Sequence, residues 1–249
     1  TTANSDWILR HSIQDEYICH YSWDLVKGSL QILWESADQI PHRNPEAIRA
    51  LTIALLNSGF SMAIVGDSRP ASGAEHLIAH YLEMVRLSRG ESTSLHGLRV
   101  GAATVIIHKM YQRFLNEMNH LDWEKLASHR SRRRKKEVLQ QHFGNLYPSI
   151  QKEALLKIES PLLITDSIKK QGFFTELKKK ISEKLFAIPD IESALKRSGT
   201  PMTFEELGFP KSLVRDAFLF SRFVRNRITI LDILDESGLL EEYIEEFVP

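Results

Sequence analysis

Apolar side chains recur at helical spacing along most of this chain, and that periodicity limits the fold more than any other feature. In the run from Asp15 to Ile40, aromatic and aliphatic residues stand three or four positions apart, which gives a helix one apolar face. Asp6 is expected to cap a helix that starts at Trp7. No segment shows the convincing alternation of a strand, and no repeat period is visible. The sequence therefore predicts an all-α fold, with a compact multi-helix domain over residues 1–249.

The segment after Pro41 predicts a buried helix. Asn44 is a favourable N-cap, and Pro45 suits the first helical position because its missing N–H would be unsatisfied there anyway. Residues 48–64 are then almost continuously apolar. A helix without a polar stripe is typically covered on all sides by the rest of the protein.

Composition excludes several classes of protein. The chain has 32 basic and 32 acidic residues, and this balance argues against a nucleic-acid binder. The strongest charge run, residues 130–136, is short and lacks interleaved aromatic residues, so we interpret it as a solvated helix face. No apolar run reaches the roughly 18 residues of a membrane span, so no span is expected.

Two further features of the sequence bear on where the protein acts. The single cysteine, Cys19, excludes an intrachain disulfide and fits a cytoplasmic protein. No signal peptide is visible at the start. Because the sequence begins at Thr1 without methionine, we expect either a processed chain or a piece of a longer one.

Three histidines within a short stretch are the most distinctive polar feature. His76 and His80 are four residues apart and so share one helix face, and Ser72 with Glu75 has the pattern of a capping box at the start of that helix. His96 opens the next predicted helix. Neutral imidazole is a good ligand for zinc or iron, and two neighbouring helices can aim His76 and His96 at one point. The spacing alone leaves an alternative open, in which buried histidines cap helix ends and bond to the backbone.

The same region resembles a known enzyme family. Its distinguishing sequence is Ser-Arg-Pro-Ala-Ser-Gly-Ala-Glu-His at residues 68–76, followed by His80 and His96-Gly97, with further matches at Asp6-Trp7 and residues 225–232. This pattern is similar to sn-glycerol-1-phosphate dehydrogenases, in the superfamily of metal-dependent glycerol dehydrogenases and dehydroquinate synthase-like enzymes. The resemblance covers nearly the whole chain, but only the C-terminal helical half of such an enzyme. It implies the multi-helix domain of the dehydroquinate synthase-like fold without the N-terminal nucleotide-binding α/β domain.

The resemblance also implies roles for individual residues. His76 and His96 match the histidines that hold the catalytic metal, Zn²⁺ or else Fe²⁺ or Ni²⁺, and a third ligand, an aspartate, would precede Thr1. His80 matches a catalytic position that faces the substrate and the nicotinamide of NAD(P). No residue of this chain is singled out for cofactor binding. Arg69 is a candidate for substrate binding because guanidinium pairs well with phosphate; the alternative is a structural arginine that bonds backbone carbonyls in the turn.

Two histidines alone are expected to bind metal weakly. A catalytic zinc usually keeps three protein ligands and one open position. The carboxylates of Asp67 and Glu75 are near in sequence and would be able to compensate, although Glu75 directly precedes His76 and is interpreted as a cap residue.

The implied function is the interconversion of a glycerol phosphate and dihydroxyacetone phosphate, a reaction of phospholipid metabolism, with residues 1–249 as the metal- and substrate-binding domain. Expected partners are the small polyol phosphate, the missing nucleotide-binding domain and a second copy of the chain. Because no βαβ unit with a glycine fingerprint is present in the sequence, we expect the isolated chain to be inactive. Two alternatives stay open: a lyase resembling dehydroquinate synthase, and a non-catalytic helical interaction module.

Overall fold

The computed structural model describes residues 1–122, 133, 135–159, 172–185 and 191–248. All regular structure in these ranges is helical, which confirms the all-α prediction. The first five helices are α1 (Thr2–Gln14), α2 (His20–Ser36), α3 (Pro45–Val65), α4 (Ala74–Ser88) and α5 (His96–Glu117). The later helices are α6 (Lys136–Phe143), α7 (Tyr147–Glu159), α8 (Phe173–Leu185), α9 (Ile191–Arg197), α10 (Lys211–Phe220), α11 (Ile230–Glu236) and α12 (Leu240–Phe247).

The helices α4 and α5 lie side by side in the middle of the core. The helix α4 also contacts α1 and α10, so it is covered on several sides. Its apolar face is fully buried at Ile78 and Leu82, and Tyr111 is fully buried on the facing part of α5. Burial of each large apolar side chain contributes roughly 1.5–3 kcal/mol, so these two helices form a stable platform.

The carboxylate of Asp6 connects α1 to the start of α4, to α5 and to the start of α11. The helix α1 begins at Thr2, so the prediction that Asp6 is its N-cap was wrong, and Asp6 is fully buried within the helix. Its Oδ2 accepts the Ala74 N–H at 2.7 Å, while Oδ1 accepts the Tyr111 hydroxyl at 2.5 Å and the Ile230 N–H at 2.8 Å. Burial, with the nearby negative charge of Glu75 as a smaller cause, raises the pKa of Asp6 to about 7. The start of α4 is thereby anchored to α1, α5 and α11.

The segment predicted to be a buried helix is helical but largely exposed. Its start is as predicted, with Asn44 Oδ1 accepting the Glu46 N–H at 3.0 Å. However, Leu55 and Phe60 are 66% and 57% exposed. The helix α3 packs mainly against α2, and its buried residues are the small ones Ala47, Ala54 and Ser61. The prediction failed because a high apolar content does not determine whether another segment of the chain covers the helix.

The helix α3 also corrects the expectation that no apolar run is long enough to span a membrane. Its 21 residues have the length and apolar composition of such a span, and only 6% of its apolar 18-residue stretch is buried. A single helix of this kind is weak evidence for a membrane, because length and composition are its only support.

The basic run at residues 130–136 falls mostly outside the described residues. Residues 130–132 and 134 are not described, whereas Lys135 and Lys136 are exposed. Arg133 is buried and forms ion pairs with Asp235 and Glu241. At this position, therefore, the interpretation of the run as a solvated face was wrong, because the guanidinium is a structural partner of α11 and α12.

Candidate metal and substrate site

The helices α4 and α5 bring the three predicted histidines together. The ring centroids of His76 and His96 are 5.4 Å apart, those of His80 and His96 are 5.0 Å apart, and those of His76 and His80 are 6.4 Å apart. His76 and His80 lie one turn apart on α4, and His96 is the first residue of α5, as expected. The side chains are 24% to 40% exposed, so a small ligand can reach them. Their assignment as ligands stays a prediction.

The start of α4 depends on a close backbone contact at Gly73. Gly73, not Ser72, is the N-cap, so the predicted capping box is replaced by a different arrangement. A Cβ on Gly73 would lie 2.5 Å from Asp6 Oδ2 and 2.8 Å from Ala3 Cα, which only glycine avoids. The Gly73 N–H donates to Glu75 Oε1 at 2.8 Å, so Glu75 does satisfy one free donor at the helix start.

Glu75 also orients His76. Its Oε1 is 2.9 Å from His76 Nδ1, and because a carboxylate only accepts, Nδ1 carries the proton and donates it. This contact leaves Nε2 of His76 as the ring nitrogen available to a ligand, in the manner of the carboxylate–histidine pairs that support metal sites. Burial opposes ionisation of Glu75, but hydrogen bonds from His76 and Gly73 outweigh it and lower the pKa of this carboxyl.

Glu83 is a residue of the site that the sequence analysis missed. It lies on α4 one turn beyond His80, with Oε2 at 3.9 Å from His80 Nδ1 and 3.8 Å from His96 Nδ1. Potential ligand atoms of these three residues all lie within 4.8 Å of one another. Its Oε1 pairs with Nη2 of the fully buried Arg99 at 3.0 Å. The spacing of His76, His80 and Glu83, at positions i, i+4 and i+7, was the signal that would have found it.

Two of the histidines are neutral at physiological pH. Burial, assisted by His96 and Arg225, lowers the pKa of His80 to about 4. Burial, assisted by His76 and Arg99, also lowers the pKa of His96. Neutral imidazole is the form that binds a metal ion or accepts a proton. His80 and His96 are therefore able to bind a metal ion without first losing a proton.

Arg69 lies in a turn rich in ion pairs. Its Nη1 donates to Glu16 Oε1 at 2.7 Å, and its Nε is 3.3 Å from Asp67 Oδ1. Asp67 is held in turn by Arg227 Nη2 at 2.6 Å. Asp67 is therefore occupied by arginines, and the group of possible ligands around His80 does not include it.

Comparison with known proteins gives matches over almost the whole chain. It is 32% identical over 236 residues to the glycerol-1-phosphate dehydrogenase, NAD(P)+, of Halalkalibacterium halodurans, which is 95% of this chain and 50% of that protein. The protein of the same name from Geobacillus thermodenitrificans is 32% identical over 241 residues, or 96% of this chain and 51% of the relative. That of Thermococcus kodakarensis is 41% identical over 106 residues, 43% of this chain and 29% of the relative. No family model matches the chain. The chain spans about half the length of the two relatives that match nearly all of it. The match lies in the C-terminal half of those relatives.

Proposed function

This chain belongs to the glycerol-1-phosphate dehydrogenase family as the C-terminal half of such a protein, and we propose that it is the metal- and substrate-binding domain of an NAD(P)-dependent oxidoreductase. The reaction is the interconversion of a glycerol phosphate and dihydroxyacetone phosphate. In the oxidative direction the alcohol carbon gives a hydride to the nicotinamide, and the alcohol oxygen gives up a proton. The observation that carries the proposal is the convergence of His76, His80 and His96 from two helices.

The donor set fits the metal that the family implies. His76 and His96 would hold the ion, Zn²⁺ or else Fe²⁺ or Ni²⁺, with His76 oriented by Glu75. When bound, the ion acts as a Lewis acid that lowers the pKa of the substrate alcohol. Two imidazoles match part of the nitrogen-rich ligand sets of catalytic zinc sites, which usually have a third protein ligand and one open position.

His80 and two arginines are proposed to bind the substrate. As a neutral imidazole beside the same space, His80 is able to accept a hydrogen bond from a substrate hydroxyl and to pass its proton on to water, since a ring with a pKa of about 4 does not keep a proton at neutral pH. Arg69 is proposed to contact the phosphate with a guanidinium that also donates a hydrogen bond to Glu16. Arg225 is exposed and near enough to His80 to lower its pKa, so it offers a second positive charge for the phosphate.

A hybrid protein tests this proposal. The N-terminal half of the Halalkalibacterium halodurans relative is joined to this chain, and oxidation of NADH or NADPH is followed with dihydroxyacetone phosphate and Zn²⁺. We expect turnover by the hybrid and none by the 249-residue chain alone. We expect His76→Ala and His96→Ala hybrids to lose both activity and bound zinc, because each removes a donor nitrogen.

Three outcomes would contradict the proposal. Full activity and zinc content in both histidine variants would remove the ligand assignment. Robust turnover by the chain alone would remove the need for a nucleotide-binding partner domain. Conversion of a dehydroquinate synthase-type substrate, without oxidation of the polyol phosphate, would favour the lyase alternative.

Location and assembly are part of the same proposal. We propose that the protein acts in the cytoplasm, since its only cysteine, Cys19, is a free thiol that suits a reducing compartment. The proposed partners are the polyol phosphate, a nucleotide-binding domain and a second copy of the chain.

A further inference from the structure

We propose that the exposed apolar face of α3 binds a second copy of this chain, so that two α2–α3 hairpins pack together as a four-helix bundle. The inference deepens the proposed function, which includes a second copy among the partners, and it rests on that part of the proposal alone. It concerns a surface of the chain and does not depend on the histidine cluster.

The side of α3 that is turned away from α2 is a large apolar surface. Six of its side chains are 39% to 66% exposed, namely Ile48, Ile53, Leu55, Leu56, Phe60 and Ile64. Residues 50–65 include no charged side chain, so this surface lacks the polar stripe of an ordinary solvent-facing helix. Single exposed apolar residues are normal, but a contiguous apolar patch of this kind marks an interaction site.

Hydrogen bonds to α2 fix which side of α3 faces outward. Ser22 Oγ of α2 is 2.7 Å from Ser61 Oγ of α3, and Asn57 Nδ2 donates to Ser29 Oγ at 2.7 Å. A rotation of α3 that turned its apolar side towards α2 would break both contacts and leave polar groups buried without partners. The outward apolar face is therefore a fixed feature of the hairpin.

The exposed area is that of a protein–protein interface. With roughly 200 Å² for a large apolar residue, the six side chains of α3 leave about 600 Å² uncovered. Tyr21 and Ile32 of α2 are 69% and 52% exposed and raise this area to about 850 Å². A stable interface of standard size buries about 800 Å² of each partner. Because a two-fold interface uses the same surface of both copies, this one patch is sufficient for a dimer.

The middle of the face is suited to packing against a copy of itself. Thr52, Leu56, Gly59 and Ala63 are exposed and stand four, three and four residues apart, which is the spacing of the seam between packed helices. A Cβ on Gly59 would meet no atom within 4 Å, so the space beside it is open. In a two-fold arrangement, Leu56 of one copy packs into the space over Gly59 of the partner subunit.

Charged side chains on α2 favour a second copy over a lipid bilayer. Asp24, Lys27 and Glu35 are exposed on α2, and α2 packs along α3. Insertion of α3 into a membrane would carry these charges into the hydrocarbon, where charged side chains are strongly disfavoured. At the rim of a four-helix bundle the same charges stay in water.

The test is the oligomeric state of the 249-residue chain, measured by sedimentation velocity from about 0.5 to about 100 µM. Two variants, Leu56→Glu and Ala63→Glu, place a carboxylate in the middle of the face. The matched control is Leu87→Glu on α4, because Leu87 is 60% exposed and Leu56 is 53% exposed. Circular dichroism checks the folding of each variant, and flotation with phosphatidylcholine–phosphatidylglycerol vesicles checks membrane binding.

We expect wild type and Leu87→Glu to form a dimer with a dissociation constant of about 1–10 µM, and to be monomeric with α3 uncovered at lower concentrations. Leu56→Glu and Ala63→Glu should weaken the dimer at least about 100-fold, because each dimer then has two substituted sites with unpaired carboxylates. None of the proteins should float with vesicles. If one of the two variants fails to fold, the other decides.

The proposal is overturned if wild type is monomeric at every concentration, or if the variants of α3 form the dimer as tightly as wild type does. It is also overturned if Leu87→Glu weakens the dimer as much as they do. Flotation of wild type that is lost in Leu56→Glu would assign the face to a membrane instead. The measurement uses no substrate, metal or cofactor, so an inactive hybrid enzyme leaves it unchanged and the two proposals fail separately.

Discussion

At the scale of the single residue, the buried carboxyl of Asp6 makes the stability of the fold depend on pH. Its fully buried carboxyl has a pKa of about 7, above the ordinary value of 3.8, so the folded chain keeps this proton over a range where the unfolded chain has lost it. The stabilising contribution of Asp6 is therefore full below about pH 4 and is lost as the pH rises towards 7.

We expect the free energy of unfolding of wild type, relative to Asp6→Asn, to fall by a few kcal/mol between pH 4 and pH 7. The comparison with Asp6→Asn is needed because His80 changes stability in the opposite direction. Its pKa is lowered, so its stabilising contribution is lost as the pH falls below about 6.5, and this loss is the same in both proteins. Urea unfolding at several pH values measures both proteins. A difference that does not change with pH would contradict the raised pKa.

At the scale of the helix, α3 and α4 have opposite surroundings despite similar apolar content. Leu55 of α3 is 66% exposed, whereas Leu77 of α4 is 2% exposed. Truncation of an exposed side chain on α3 therefore lowers the free energy of unfolding only a little, because the space that it leaves is already open to water. The same truncation at the buried Leu77 leaves a cavity closed to water.

We expect Leu55→Ala to change the free energy of unfolding by less than about 0.5 kcal/mol. The matched variant Leu77→Ala should lower the free energy of unfolding by about 2–5 kcal/mol. Chemical unfolding at low protein concentration gives both values. Equal losses would show that some other surface covers α3 in solution.

At the scale of the whole molecule, a buried ion network joins segments that are distant along the chain. Arg222, fully buried just after α10, donates to Asp232 Oδ1 at 2.8 Å and also pairs with Asp235. Lys157 of α7 donates to Asp232 Oδ1 at 2.8 Å, and burial lowers the pKa of this lysine to about 8. The network therefore links α7, the end of α10 and α11 through buried charged groups.

Removing one member of this network should be costly. We expect Arg222→Met to lose about 3–5 kcal/mol, because it leaves buried carboxylates short of a counter-charge. The control is Arg215→Met, since Arg215 is 40% exposed and lies 3.7 Å from Glu245, an arrangement worth less than about 1 kcal/mol. Thermal and chemical unfolding compare the two. A small loss for Arg222→Met would mean that water reaches these carboxylates.

The sequence by itself determined the helical class, the helix starts at Pro45 and His96, and the family, because helical periodicity, capping and motif spacing are properties of neighbouring residues. Only the tertiary structure decided that Asp6 is a buried link, that α3 is exposed and that Glu83 approaches the histidines. Each of these depends on which distant segment lies opposite a given helix face. Local sequence patterns set the apolar face of a helix, but the packing of all helices together selects its neighbour.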